Sequence, residues 1–237
     1  MKLTVIIPVY NEASTLAELL ARVHAVPVEK EVLIVDDGSD EATKSLLRGT
    51  ALGDARLFTH PQNRGKGAGI RTALEHASGD VVIIQDADLE YFPEDYVGLL
   101  HVYEEKGAQA VYGVRDLSSR PLHMRWGNKF LTLLTNLLYG GNLKDMETCY
   151  KLVDRRLLQS LGLASRRFEI EAEITAKLRR LGVKIQQTPI RYDPRDEGKK
   201  KLTPWDGLPA LKVLLKYRFW RPTEATSAPK TATPTSF

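Results

Sequence analysis

The sequence predicts an α/β fold, a mostly parallel sheet flanked by helices. Short β-branched runs alternate with stretches of helical periodicity along the first half of the chain. The runs are apolar throughout, as in strands buried on both faces. Polar and charged loops follow the runs directly, and sheets of this kind bind ligands at the carboxyl ends of their strands.

Leu3–Val9 reads as the first strand. Residues 13–26 carry Leu16, Leu19, Leu20 and Val23 at helical spacing, and 32–35 form a second strand. A short helix is expected around 43–47 and a third strand at Arg56–Thr59. A helix over 67–77 precedes the strand Val81–Ile84, and a helix over 94–106 precedes a strand at 108–114. Beyond residue 115 the pattern changes. Residues 126–139 and 205–219 are amphipathic helices, each with a Trp at its start. Between them come strand 149–153, helix 168–181 and strand 184–192, the last interrupted by Pro189. Residues 222–237, mostly Thr, Ala, Pro and Ser, read as a disordered tail. The expected organisation is one domain over 1–221, made of a ligand- and metal-binding half (1–115) and a basic half (116–221).

The net charge of +4 hides an asymmetry. Residues 1–110 hold 10 Lys/Arg and 18 Asp/Glu, whereas 111–237 hold 24 and 12. An acidic half suits a metal site; a basic half suits phosphate, nucleic acid or an anionic membrane. No nucleic-acid reader motif is present, which argues against that partner. The single cysteine, Cys149, excludes a disulfide framework and any multi-cysteine metal site, and fits a reducing, cytoplasmic setting. The N-terminus lacks a signal-peptide core, and no apolar stretch approaches the roughly 18–20 residues of a membrane span. His24, His60, His76, His101 and His123 form no ligand-spaced set.

Four segments carry chemistry. Gln85-Asp86-Ala87-Asp88-Leu89-Glu90 follows the fourth strand, and in an extended chain Asp86, Asp88 and Glu90 would share one side. Clustered carboxylates need a cation among them, and hard oxygen ligands suit Mg²⁺ or Mn²⁺ shared with substrate phosphates. Pro8-Val9-Tyr10-Asn11-Glu12 ends the first strand; Pro8 frees the last residues from ladder bonds, so that Tyr10 and Glu12 could face a ligand. Asp36-Asp37-Gly38-Ser39-Asp40 ends the second, where Gly38 permits a tight turn and Ser39 or Asp40 could cap the next helix. Asn63-Arg64-Gly65-Lys66-Gly67 opens a helix, a position that favours anions.

In this order the four segments resemble the family 2 glycosyltransferases of the GT-A (Rossmann-like) fold. The resemblance implies a donor pocket formed by Pro8, Tyr10, Glu12, Asp37, Lys66 and Asp86, with Asp86 and Asp88 holding a divalent metal on the diphosphate of a nucleotide sugar. Downstream, Leu89-Glu90 with Pro93, Arg115, Arg125, Asp145 to Lys151, and Arg195 with Gly198-Lys199-Lys200 are similar to the polyprenyl-phosphate glycosyltransferases, the dolichol-phosphate mannose synthase group. That similarity covers about residues 3–220. It implies that Glu90 can join the metal, that Arg115, Arg125, Arg195 and Lys200 hold the acceptor phosphate, and that transfer inverts the sugar. Donors of the GDP-mannose or UDP-hexose type, Mg²⁺ or Mn²⁺, a polyprenyl (dolichyl or undecaprenyl) phosphate acceptor and peripheral attachment to the cytoplasmic membrane face are the corresponding expectations. Glu147-Thr148-Cys149-Tyr150-Lys151 departs from the group's usual Ser-Gly-Phe-Arg, and the C-terminal membrane helices of many relatives are absent. That leaves room for a separate membrane-protein partner.

A phosphate acceptor, already anionic near neutrality, needs cations more than a base. Asp145 then orients the acceptor arginines. A glycan or protein hydroxyl acceptor would instead require Asp145 as a base. A non-catalytic nucleotide-binding module is the alternative outside enzymes, and the intact Asp86, Asp88 and arginines count against it.

Overall fold

β1, Leu3–Val9, is buried along almost its whole length, as befits a parallel strand covered on both faces. It pairs in parallel with β2, Lys30–Asp36, on one side and with β4, Val81–Ile84, on the other. β3, Arg56–Thr59, is the largely exposed edge beyond β2. Past β4 come β6, Lys151–Asp154, then β5, Ala110–Arg115, and β7, Ile185–Ile190, in the order β3-β2-β1-β4-β6-β5-β7. β6 alone runs antiparallel to its neighbours. The carboxyl ends of the others therefore open on one edge of the sheet. The computed structural model describes residues 1–49, 52–194 and 207–221. The expected tail, Arg195, Lys199 to Lys201 and Trp205 lie outside the described residues.

The helices are α1 (Leu16–Ala25), α2 (Glu41–Leu47), α3 (Lys66–Leu74), α4 (Tyr96–Glu105, after a 3₁₀ turn at Pro93–Asp95), α5 (Leu122–Tyr139), α6 (Arg155–Ser160), α7 (Ile170–Arg180) and α8 (Gly207–Tyr217). α1 buries the four apolar residues that predicted it. Asp40 caps α2, accepting from the Thr43 amide at 2.9 Å. α3 lies close on the sheet because Gly69 has no side chain; a Cβ there would stand 3.3 Å from Pro8 Cβ.

Several boundaries differ from expectation for identifiable reasons. β1 continues through Pro8 to Val9 on the β2 side, but its pairing with β4 ends at Ile6. The missing amide of Pro8 faces the side where the ladder has already stopped. α5 begins at Leu122, four residues earlier than its apolar stripe suggested, directly after Pro121 with φ −53°. Cys149 lies just outside β6. Pro189 stays within a strand because β7 is a sheet edge. α6, capped by Asp154 on the Leu157 amide at 2.8 Å, is too short and too charged to show a periodicity.

The main core fills both faces of the sheet. A second apolar cluster, with Leu131, Met146, Ala172, Ala176, Ala210 and Leu214, joins α5, α7 and α8. The alanines let these helices approach closely, so α5 and α8 are held together beside the site edge.

Candidate active site

Every strand end that the sequence singled out reaches the same edge, and each brings a different group. At the end of β4, Gln85 is fully buried and accepts from Tyr96 and Tyr150 hydroxyls at 2.5 and 2.6 Å. This fixes where the acidic segment starts. The segment itself is a turn: Leu89 has φ +62°, and Asp88 Oδ1 accepts from the Glu90 amide at 3.2 Å. The one-sided arrangement expected of an extended chain is thereby broken. Among the described residues no group of three His, Cys, Asp or Glu side chains is placed to hold a metal ion.

Instead the carboxylates divide between two sets of cations. Asp86 Oδ1 meets Lys66 Nζ at 2.7 Å, Lys66 meets Glu171 Oε1 at 3.0 Å, and Glu171 Oε2 meets Lys151 Nζ at 2.8 Å. Burial opposes the Lys66 ammonium, but Asp86 and Glu171 outweigh it and hold its pKa well above the ordinary value. Lys151 also donates to the carbonyls of Met146 and Thr148, so it braces the segment before β6. Glu90 turns to the other set. Its Oε2 accepts from Arg120 at 3.0 Å and from the Tyr192 hydroxyl at 2.8 Å.

Arg115, the last residue of β5, grips Asp145 bidentately at 2.7 and 2.9 Å and donates to the Tyr91 hydroxyl at 3.1 Å. Its guanidinium stands 5.1 Å from the Tyr192 ring centre, and that of Arg120 stands 5.0 Å from it. Burial would raise the Asp145 pKa; Arg115 overrides this and lowers it. A depressed carboxyl is a poor base and a good orienting group. Arg125 is exposed on the first turns of α5, and the second arginine over Tyr192, beside Arg115, is Arg120, a residue that carries no sequence signal.

On the β1–β2 side, Tyr10 is 38% exposed at the rim. Glu12 is buried and accepts from the Thr15 hydroxyl, which also donates to the Ala87 carbonyl at 2.7 Å. Asn11, at φ +55°, ties the β1 end to the β2 end by accepting from the Asp40 amide at 2.8 Å. Asp37 is 2% exposed and faces inward, accepting from the amides of Arg64 and Gly65 and from His60.

Glu171, Tyr91, Tyr192 and His60 gave no sequence signal as site residues, and Lys151 entered only as the last residue of the segment that carries the resemblance. Glu171 and Lys151 sit in segments that read as ordinary helix and strand, and they are linked to Asp86 through Lys66, which pairs with both Asp86 and Glu171.

Glu147 is the titratable group to single out. Burial pushes its carboxyl from 4.5 up to about 7, partly offset by Lys151 and Arg115 and reinforced by Glu171 and Asp145. Its Oε1 is buried without a hydrogen-bond partner. The folded state therefore binds this proton more tightly than the unfolded chain does. Its contribution to stability is complete below pH 4.5 and is lost as pH rises through about 7. Glu147→Gln should leave stability nearly unchanged at pH 4.5 and increase it, relative to the parent, by up to about 3 kcal/mol above pH 7. Urea midpoints across that range check this; a pH-independent difference would refute the raised pKa.

A glycosyl transferase family 2 model matches residues 4–162. The chain belongs to this family, and its mostly parallel seven-stranded sheet with flanking helices is the GT-A fold. Among curated proteins it is 29% identical over 200 residues to glycosyltransferase AglJ of Haloferax volcanii, covering 82% of this chain and 64% of that one. It is 34% identical over 170 residues to an undecaprenyl-phosphate 4-deoxy-4-formamido-L-arabinose transferase of Pseudomonas syringae, covering 69% of this chain and 50% of the other. The chain thus spans half to two thirds of the length of these relatives. Its fold matches glucosyl-3-phosphoglycerate synthase of Mycobacterium tuberculosis, solved with Mn²⁺, uridine diphosphate and glucosyl-3-phosphoglycerate, with a TM-score of 0.73 at 20% identity over 91% of this chain and 79% of that one.

Proposed function

We propose that the protein transfers a sugar, with inversion, from a nucleotide sugar to a polyprenyl phosphate at a membrane surface. The observation that carries this reading is the division of charge along the sheet edge. Asp86 and Lys66 stand at the end of β4, and the Arg115–Asp145 pair stands at the end of β5. A donor diphosphate and an anionic acceptor each need a cation, and Lys66 and Arg115 stand at separate places on that edge, each held by a carboxylate. The relatives that use undecaprenyl phosphate support the choice of acceptor.

Asp86 and Asp88 fit Mg²⁺ or Mn²⁺ in chemistry: two hard carboxylates, with the remaining positions supplied by phosphate oxygens and water. A metal there would neutralise charge on the leaving nucleoside diphosphate. Lys66 supplies a fixed cation beside Asp86. In transfer, an acceptor phosphate oxygen forms the bond to the anomeric carbon while the bond from that carbon to the donor phosphate breaks. The acceptor carries no proton that must be removed. Arg115, locked by Asp145, and Arg120 are the described cations that would orient it. Glu90, engaged by Arg120 and Tyr192, belongs with this acceptor set in our reading. A hydroxyl acceptor is the second reading; there Asp145 would have to take the proton, a role that its lowered pKa beside Arg115 opposes. A panel of nucleotide sugars with Mg²⁺ or Mn²⁺, offered undecaprenyl or dolichyl phosphate and read as glycosylated lipid, tests the first reading. Transfer only to soluble hydroxyl acceptors would replace it with the second.

The membrane part of the proposal rests on α5. Leu131, Thr132 and Thr135 face the protein, yet Leu122, Trp126, Phe130, Leu133 and Leu137 are between 57% and 80% exposed. Their spacing places them in one stripe along the helix. Leu208, Leu215 and Phe219 of the α8 region are also exposed. Arg125 and Lys129 flank the stripe, as in helices that lie in an anionic interface. No described helix is long and apolar enough to cross a membrane. The exposed stripe of α5 supports peripheral attachment, which we place at the cytoplasmic face as part of this proposal. Flotation with anionic liposomes should recover the protein at low salt, recover less at high salt, and lose it when Trp126 and Leu133 are changed to Glu. Failure to float at low salt would favour a soluble acceptor.

A further inference from the structure

A pocket of about 390 Å³ opens between the segment that leads into α7 and the flank of α8, a size found among sites for small organic ligands. Arg166, Arg167 and Glu169 line one wall, and Lys216 and Tyr217 line the other. No residue assigned above to donor, metal or acceptor lines it. The first wall is held from two sides. Glu173, fully buried on α7, accepts from the Ala164 amide at 3.0 Å and from the Ser165 amide at 2.7 Å. The Arg166 carbonyl accepts from the Ala68 amide at 3.0 Å, and Gly65 lies too close to that oxygen for any side chain.

The charges of the pocket do not cancel. Glu169 Oε1 accepts from the Arg166 and Arg167 amides, both at 3.2 Å, so this carboxylate holds backbone and not guanidinium. Arg166, Arg167 and Lys216 are exposed, and none of them forms an ion pair among the described residues. Arg22, Arg115, Arg120 and Arg191, in contrast, each meet a carboxylate. Like charges gathered in one pocket repel one another, and an anion among them removes that cost.

We propose that this pocket binds a phosphate group, at a place separate from the donor diphosphate and the acceptor phosphate. Three cations less one carboxylate give a net charge of +2. A phosphate monoester, near −2 at neutral pH, matches it. The two guanidiniums suit paired contacts with phosphate oxygens, and Lys216 adds a point charge from the opposite wall. The inference goes beyond the transfer reading and does not rest on it. Such a group is carried by a soluble phosphate ester or by a lipid headgroup. Leu215, beside Lys216, is exposed and brings the pocket next to the surface read above as facing the membrane.

Inorganic phosphate, titrated by calorimetry with divalent cations chelated, should bind the parent protein saturably. Arg167→Gln and Lys216→Gln should each weaken it about tenfold, as for one lost hydrogen bond between charged groups. Lys212→Gln removes the same charge one turn earlier on α8, outside the pocket. It should weaken binding by less than about twofold, as for a screened surface charge. Equal effects of the three substitutions, or none, overturn the site, because diffuse charge or another place would then hold the phosphate. Flotation with phosphatidylcholine vesicles containing phosphatidic acid separates the two sources. Loss of flotation in Arg167→Gln but not in Lys212→Gln assigns the pocket to a lipid headgroup. Equal flotation of those variants, with phosphate binding weakened as expected, assigns it to a soluble ester. A parent that binds no phosphate saturably and floats no better than Arg167→Gln overturns the proposal. Absence of sugar transfer would remove the function proposed above and leave these results untouched.

Discussion

Asp88→Ala should abolish metal-dependent binding of nucleoside diphosphates while the fold survives. Asp88 belongs to the turn after β4, and its Oδ1 accepts from the Glu90 amide at 3.2 Å. The loss of that contact costs about 1 kcal/mol of local order, small beside the stability of a domain this size. In contrast, Asp86 is already paired with Lys66, so a divalent ion at this edge depends on a second carboxylate. Calorimetric titration of a nucleoside diphosphate with Mn²⁺ should show the affinity of the parent protein collapse to its metal-free level in the variant. A normal circular dichroism spectrum and thermal midpoint would accompany this. Undiminished, Mn²⁺-dependent affinity would reject the assignment of Asp88 to the metal.

Lys151→Met should be the most destabilising single change at the site. Lys151 is 1% exposed, donates to the Met146 carbonyl at 2.9 Å and to Glu171 at 2.8 Å, and stands 5.0 Å from the Tyr112 ring centre. Its removal leaves Glu171 with Lys66 as its one remaining ion-pair partner among the described residues. Breaking one side of a buried pair costs about 3–5 kcal/mol, whereas replacing both sides by apolar residues is often nearly neutral. Lys151→Met should therefore lower the urea midpoint strongly, and Lys151→Met with Glu171→Leu should recover part of the loss. Equal destabilisation by the single and double variants would show that the carbonyl bonds, not the ion pair, matter.

The sequence by itself determined the sheet and the order of its chemistry. The apolar β-branched runs at Leu3–Val9 and Val81–Ile84 are strands because residues buried on both faces of a parallel sheet must be apolar at every position. Each acidic or glycine-rich loop then falls at a carboxyl end, since every right-running strand delivers its end to the same edge. The place of the acidic segment directly after β4 was legible for that reason, and Asp40 as a helix cap from its turn chemistry; Arg115 entered only through the family resemblance.

Only the tertiary structure decided which charges meet. A carboxylate's partner is set by distances across elements far apart in sequence, and periodicity carries no such information. Thus Lys66 meets Asp86 and Glu171, Glu90 meets Arg120 and Tyr192, and Arg115 takes Asp145, each across a separation that no local pattern encodes. The turn at Leu89 defeated the extended-chain spacing of Asp86, Asp88 and Glu90, because one residue at positive φ reverses the side on which the next group emerges. Likewise, the sequence placed Asp37 at the site but could not show that it also accepts from the Arg64 and Gly65 amides. The amphipathic stripe of α5 predicted a helix with one apolar face. Packing against α7 and α8 used the face with Leu131 and Thr135 and left Trp126, Phe130, Leu133 and Leu137 uncovered, a choice made by the neighbouring helices rather than by α5 itself.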